Sequence, residues 1–262
     1  MHQKMAEIDA TPPTAIPTAG VLLIGDEILS GRTKDKNLGY IADFLTARGI
    51  DLKEARVVSD EEAEIASALN QMRERYTYIF TTGGIGPTHD DITADAVARA
   101  FDVPVEHEAR AVKLLQDYYR EVGREATPAR MRMARMPVGA EHIDNAISRA
   151  PGFQIGNVFV MAGVPKIMQA MLEEAGKQLV GGVQLASRTL VAHVPEGDLG
   201  GPLSDVQARY DTVSIGSYPF ETGTGYGANI VLRSRDEAQL DEAAREVGEM
   251  LDRLSVLQGT NG

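Results

Sequence analysis

The sequence predicts an α/β fold, a mainly parallel sheet covered by helices on both faces, followed by a smaller α+β domain. Three observations carry this expectation. Short apolar runs alternate with amphipathic helical stretches through roughly the first 180 residues. Those runs end in loops rich in glycine and acids, as strands leading into helices do when a parallel sheet is buried on both sides. After Gly181 and Gly182 the order changes to strand, helix, strand, strand, helix, over about 70 residues, too few to extend the first sheet.

Taken in order, residues 20–25 (GVLLIG) form a buried-type strand that stops at GDEILSG. Residues 37–48 place Leu38, Ile41, Phe44 and Leu45 at helical spacing, and Gly49 ends that helix. Residues 51–58 give a second strand. Ser59 or Asp60 is placed to cap the next helix, 61–75, which turns Ile65, Leu69 and Met72 inward. A third strand spans 77–82, and a helix at 93–101 sets Ala94, Val97, Ala98 and Phe101 on one face. Helices are expected at 106–122 and at 127–135, the second stopped before Pro137. Residues 158–161 (VFVM) are a further buried-type strand, running into a helix through AGVPKIMQAM. Beyond the glycine pair come a strand at 188–194, a helix at 198–209, strands at 212–217 and 228–234, and a helix at 236–254. The domains are drawn as a disordered tail at 1–18, an α/β domain at 19–182 and a small α+β domain at 187–255.

The chain has 262 residues, 43% hydrophobic and 24% charged, enough to bury a full core. A net charge of −12 argues against nucleic acid as a partner, because that binding rests on excess Lys and Arg. A phosphorylated small molecule stays open if backbone N–H groups or a metal ion supply local positive potential. With no cysteine, disulfides, thiolate metal sites and Cys nucleophiles are excluded. The first 20 residues carry three prolines and no apolar run, unlike a signal peptide, and no stretch reaches the ~18 apolar residues of a membrane span. The expected location is cytoplasmic, with no membrane partner.

The segment GGIGPTHDDIT, following the third strand, carries the most chemistry. Glycines there let backbone N–H groups approach a ligand, Pro87 stiffens the loop, and the next helix offers free N–H groups and its positive dipole end. Asp90 and Asp91 would oppose an anion unless a divalent cation lies between, so the combination suggests a metal–phosphate site. The plainer reading is a tight turn at Gly83 and Gly84, with Asp91 or Thr93 capping the helix. The loop is neither a Walker A motif nor the dinucleotide GxGxxG. GDEILSGRTKDKN raises the same alternatives: Asp26 and Glu27 as ligands, with Arg32, Lys34 and Lys36 near phosphate, or a solvated turn. Asp60 is either a cap or an active-site acid, and His89 either a solvent-facing loop residue or a proton carrier. The turn Gly163–Val164–Pro165 either leaves room for a ligand or is an ordinary connection. All these loops follow strands, and in such sheets ligands bind beyond the strands' carboxyl ends, so they should converge at one edge.

LLIGDEILSGRTKDKN, VVSDEE, IFTTGGIGPTHDDITADAVARAF, SRAPGF and FVMAGVPKIM together resemble the molybdopterin-binding (MoaB/MogA-like) domain in the form found in the competence/damage-inducible protein A (CinA) family. The resemblance covers roughly residues 19–180 and implies a three-layer αβα sandwich binding a phosphorylated pterin or nucleotide. The region 187–255 is similar to the small KH-like domain that follows in that family. RNA binding is not inferred: Gly223 to Gly227 lie between strands, and the chain is acidic. By the resemblance, Gly83, Gly84, Gly86, Pro87 and Thr88 correspond to the phosphate-cradling loop. Asp91 matches the aspartate linked with metal and catalysis, and Asp60 a second functional aspartate. Asp26, Glu27 and Asn37 fall in the first conserved loop, Ser148 precedes the pocket-lining APGF, and Gly163 and Pro165 belong to the turn after the last strand. Where the family commonly has PGVPxEM this chain has AGVPKIM, with Ala162 for a proline and Ile167 for an acid. The deamidase domain of longer relatives and the flavin adenylyltransferase domain of eukaryotic fusions are absent from the sequence, so neither activity carries over.

The resemblance, through an activity associated with CinA-like versions of this module, implies a metal-dependent pyrophosphatase acting on a nucleotide diphosphate such as ADP-ribose or FAD. A divalent ion (Mg, Mn or Co) would be held by Asp90, Asp91, Asp26 and Glu27, with Asp91 and Asp60 catalytic. The alternatives are a non-catalytic molybdopterin- or nucleotide-binding module and a molybdopterin adenylyltransferase. Relatives assemble as dimers or trimers, so a homo-oligomer is expected.

Overall fold

The computed structural model describes residues 15–222 and 225–259, and the chain divides after Gly182 into two compact units. In the first unit, β1 (Thr18–Ile24) leads through α1 (Asp26–Leu29) into α2 (Asn37–Thr46), β2 (Asp51–Val58), α3 (Glu62–Arg73), β3 (Tyr78–Thr82) and α4 (Thr93–Phe101). Next come β4 (Val105–His107), α5 (Ala109–Glu121), α6 (Pro128–Met131), β5 (Arg135–Pro137), β6 (Glu141–Ile143), β7 (Gly152–Ile155), β8 (Val158–Met161) and α7 (Pro165–Ala175). Six strands form one sheet in the order β2-β1-β3-β8-β7-β6, in which β2, β1, β3 and β8 run parallel. The last two strands are antiparallel additions.

Strand alternation explains the three layers. On one face Leu22, Ile24 and Val160 pack with Ile65, Leu69, Val97 and Leu115 of the helices. On the other, Val21, Leu23 and Phe80 meet Ile41, Leu45, Met168 and Leu172. Period-2 side-chain direction thus feeds two separate cores from the same strands. Phe80 and Phe159 stack across β3 and β8 with ring centres 5.2 Å apart. At the amino ends of these strands the Asn157 side-chain amide donates to the Arg73 and Tyr76 carbonyls, at 3.0 and 2.9 Å. The Asn157 backbone carbonyl accepts from the Ile79 N–H at 2.8 Å.

Several expected boundaries move. Of the tail drawn at 1–18, residues 1–14 lie outside the described residues, but Thr18 is already in β1, paired with Asp51. The helix expected from 106 starts at Ala109, because 105–107 is taken by β4 pairing with β5, and Glu108 caps it by accepting from the Ala111 N–H. The helix expected at 127–135 shortens to α6 and one 3₁₀ turn, since Arg135–Pro137 joins that two-stranded ribbon.

The second unit follows the expected order: β9 (Ala186–Ala192), α8 (Glu196–Gln207), β10 (Ser214–Thr222), β11 (Gly225–Ser234) and α9 (Glu237–Gly259). Its strands form an antiparallel sheet, β10-β11-β9, over a core of Leu199, Val206, Ile230, Leu232, Leu240 and Val247. Of the GTGYG run, residues 223–224 lie outside the described residues, and 225–227 open β11. No helix among the described residues is long and apolar enough to cross a membrane.

Candidate active site

Register brings the loops together. Ile24 pairs with Val58, Leu23 with Thr82, and Thr82 with Met161, so four parallel strands stop at nearly the same level. The chain continues the ladder for one more bond on each side: the Gly25 N–H donates to the Val58 carbonyl and the Gly83 N–H to the Met161 carbonyl, both at 3.1 Å. The loops after β1, β2, β3 and β8 therefore share one rim.

A cavity of about 530 Å³ opens there, lined by Gly83, Gly84, Ile85, Gly86 and Pro87, by Glu27, Asp91 and Ser148, and by Gly163 and Pro165. Met133, Ile167 and Met171 supply apolar wall. Gly84 has φ 67°, and a Cβ there would stand 2.1 Å from the Thr93 hydroxyl oxygen. That buried hydroxyl donates to the Gly83 carbonyl at 3.0 Å, and the Thr93 N–H donates to the Gly84 carbonyl at 3.0 Å. Thr93 thus ties α4 to the loop; it does not cap the helix, whose first flanking residue is Ile92, without a side-chain bond.

The amide donors are fewer than the sequence suggests. Gly83 spends its N–H on Met161, Pro87 has none, and the Thr88 N–H and hydroxyl both donate to Asp91 Oδ2, at 2.7 and 2.6 Å. Both Thr88 donors, expected at the phosphate, are thus engaged with carboxylate inside the loop. Among the described residues the N–H groups of Gly84, Ile85 and Gly86 donate to no protein acceptor. Gly86 also makes room for Asp91, since a Cβ there would lie 2.6 Å from Oδ2.

Asp60 is not a helix cap; Glu61 holds that position, without a side-chain bond. The Asp60 carboxylate instead accepts from the Asp26 N–H at 2.9 Å, crossing from one strand-end loop to the next. Burial pushes its pKa above the ordinary aspartate value; the Asp26 N–H opposes this, and the nearby charges of Asp26, Glu27 and Asp90 add to it. Asp90 is exposed, and the Thr88 hydroxyl, which it shares with Asp91, and its own backbone N–H hold its carboxyl below the usual range. His89 is the expected solvent-facing residue, its side chain 99% exposed.

The expected four-acid metal set does not assemble. Among the described residues no three or more His, Asp or Glu side chains are arranged to hold a metal ion. Glu27 and Asp91 share the cavity wall, while Asp26, Asp60 and Asp90 lie outside it. Asn37 lines a smaller adjoining cavity and donates from Nδ2 to the Gly163 carbonyl at 2.9 Å.

Two contributors escaped the sequence reading. Arg132 Nη2 donates to the Asp91 carbonyl at 3.2 Å, setting a guanidinium behind the glycine loop. Asn145 accepts from the Ile147 and Ser148 N–H groups and donates to the Ser148 hydroxyl, which shapes the turn that presents Ser148. Neither residue lies in a loop after one of the four parallel strands, so no local pattern marked them. The two departures from the family pattern, Ala162 and Ile167, both line the main cavity.

A three-layer α/β unit with amides and carboxylates at the strand ends defines the class. The family described as "Probable molybdopterin binding domain" matches residues 20–181, and the chain belongs to it. The family "FAD synthase, middle domain" matches residues 184–259. A protein of Pyrobaculum arsenaticum is 32% identical over 90% of this chain and 94% of its own length. A "CinA-like protein" of Desulfosudis oleivorans is 38% identical over 70% of this chain and 47% of its own. A "Probable FAD synthase" of Caenorhabditis briggsae is 28% identical over 92% and 50%. The chain therefore spans about half the length of these last two. Among solved structures, the CinA protein of Thermoplasma acidophilum, of unknown function, is 33% identical with TM-score 0.58, covering 62% of this chain and 97% of that one.

Proposed function

We propose that the first unit is a metal-dependent pyrophosphatase acting on nucleotide diphosphate compounds of the ADP-ribose or FAD type. One observation carries the reading: Gly84, Ile85 and Gly86, whose N–H groups have no protein acceptor, line the same cavity as the acids Glu27 and Asp91. Amides alone would suit any anion; carboxylates beside them suit an anion that arrives with a cation. A divalent ion held by Asp91 and Glu27, and completed by ligand phosphate and water, needs no preformed three-acid cluster. When bound, such an ion offsets diphosphate charge and acidifies water.

The chain's own residues supply the rest. The three amides would hold the phosphate and stabilise charge gathering on its oxygens. Water adds to one phosphorus while the bridging P–O bond breaks, and the proton lost by water must be taken up. Asp60 lies outside the cavity wall but near enough to Glu27 for their charges to interact, and with its raised pKa it would take that proton through an intervening water and return it to the leaving phosphate by the same route. The apolar wall of Met133, Ile167 and Met171 suits a planar ring. The FAD synthase name of one relative supports a flavin dinucleotide among the candidates.

The test is a panel of dinucleotides and nucleotide sugars with Mg²⁺, Mn²⁺ or Co²⁺, read by mass spectrometry. Asp91→Ala should slow hydrolysis on the order of 10²–10³-fold, and unchanged rates at saturating metal would refute the assignment. The family's description as a molybdopterin binding domain supports a second reading, a module that binds molybdopterin or a nucleotide without turnover. Thermal stabilisation by the same panel, with no product formed under any metal, would select it.

A further inference from the structure

A second cavity, of about 230 Å³, abuts the first; both are lined by Glu27, Thr33, Gly163 and Pro165. Its own wall includes Lys34, Lys36 and Asn37. Asn37 is 4% exposed, and its Nδ2 is committed to the Gly163 carbonyl. Its Oδ1 is buried with no partner. A buried acceptor left without a donor is costly, and native structures pair such groups with protein, water or ligand. The two lysines add positive charge to this wall. Among the described residues neither Lys34 nor Lys36 has an ion-pair partner, as is also true of Lys166, in a chain of net charge −12. Asp35 lies between them, but its carboxylate accepts from the Asn37 and Leu38 N–H groups at the start of α2.

Resting on the reading of the main cavity as a nucleotide diphosphate site, we propose that this compartment takes the second half of a two-part ligand. The unmet acceptor asks for a hydroxyl or amine donor; the lysines disfavour a cationic amine and favour a hydroxyl close to phosphate. A ribosyl or ribityl phosphate end meets both demands. The base or ring of the other half occupies the apolar cavity, and the diphosphate spans the shared wall beside the amides. The site thereby selects compounds with two sugar-bearing halves joined by a diphosphate, and a mononucleotide fills only the first compartment.

Calorimetric titration of the full chain with ADP-ribose and with AMP, with EDTA and again with Mg²⁺ while ligand integrity is followed by mass spectrometry, tests this. The double substitution Lys34→Ala/Lys36→Ala should weaken ADP-ribose roughly tenfold and AMP less than about twofold. Asn37→Ala should show the same selectivity; if that variant does not fold, the surface lysine pair decides. Equal loss for both ligands, no loss for ADP-ribose, or no ADP-ribose binding by the unsubstituted protein overturns the proposal. Selective binding without hydrolysis under any metal leaves the compartment standing and removes only the pyrophosphatase reading.

Discussion

Asp91 owes its placement to residues on either side of it. Thr88 supplies two donors to one carboxylate oxygen, Arg132 holds the Asp91 carbonyl, and Gly86 leaves the volume the carboxylate occupies. Gly86→Ala is therefore informative. Its φ is ordinary, so alanine is conformationally acceptable, and the new methyl displaces only the end of the Asp91 side chain. Stability should change by less than about 0.5 kcal/mol while hydrolysis falls roughly 10²-fold. Paired melting curves and rates check this; unchanged turnover would mean the position of Asp91 is immaterial. At this scale the sequence marked Asp91 and the glycines by type and spacing. It could not show that Thr88 is spent on Asp91, or that Arg132, from a distant helical turn, lies behind the loop. Those facts depend on which donor reaches which acceptor first, and the order of residues does not encode that locally.

The parallel strands carry most of what was legible at the next scale, because a buried strand between helices leaves a strong hydrophobic pattern. The strands β4 to β7 went unread: each has three or four residues, too short for periodicity, and they exist by pairing with distant partners. β2 is one of the two outer strands of the sheet, and it is held partly by Glu54. Its carboxylate accepts from Arg56, from Arg75 at 3.0 Å and from the Tyr76 hydroxyl at 2.5 Å. The bond from Arg56, then that from Tyr76, lowers the Glu54 pKa below 4.5. A lowered pKa stabilises the fold above the unfolded-state value and loses that contribution as pH falls through the folded-state value. Glu54→Gln should thus cost about 0.5–1 kcal/mol at pH 7, and the difference from the unsubstituted protein should shrink at a pH below the ordinary glutamate value. Chemical denaturation at both pH values measures it, and a cost independent of pH would show that the charge does not matter.

Across the whole chain, the two units have separate cores, and every residue lining the main cavity and its neighbour lies before residue 183. A chain ending at Gly182 should keep its thermal response to ADP-ribose, about 2.7 kcal/mol at a ligand concentration of 100 Kd. Loss of that response would implicate the second unit in the site. A last consequence comes from Asn157, whose amide joins α3, β3 and β8 at the end of the sheet remote from the ligand rim. Anchorage and chemistry are thereby kept apart along the strand axis. Mutational drift at the rim can retool specificity without loosening the frame, as suits a scaffold shared by relatives as differently named as a CinA-like protein and an FAD synthase.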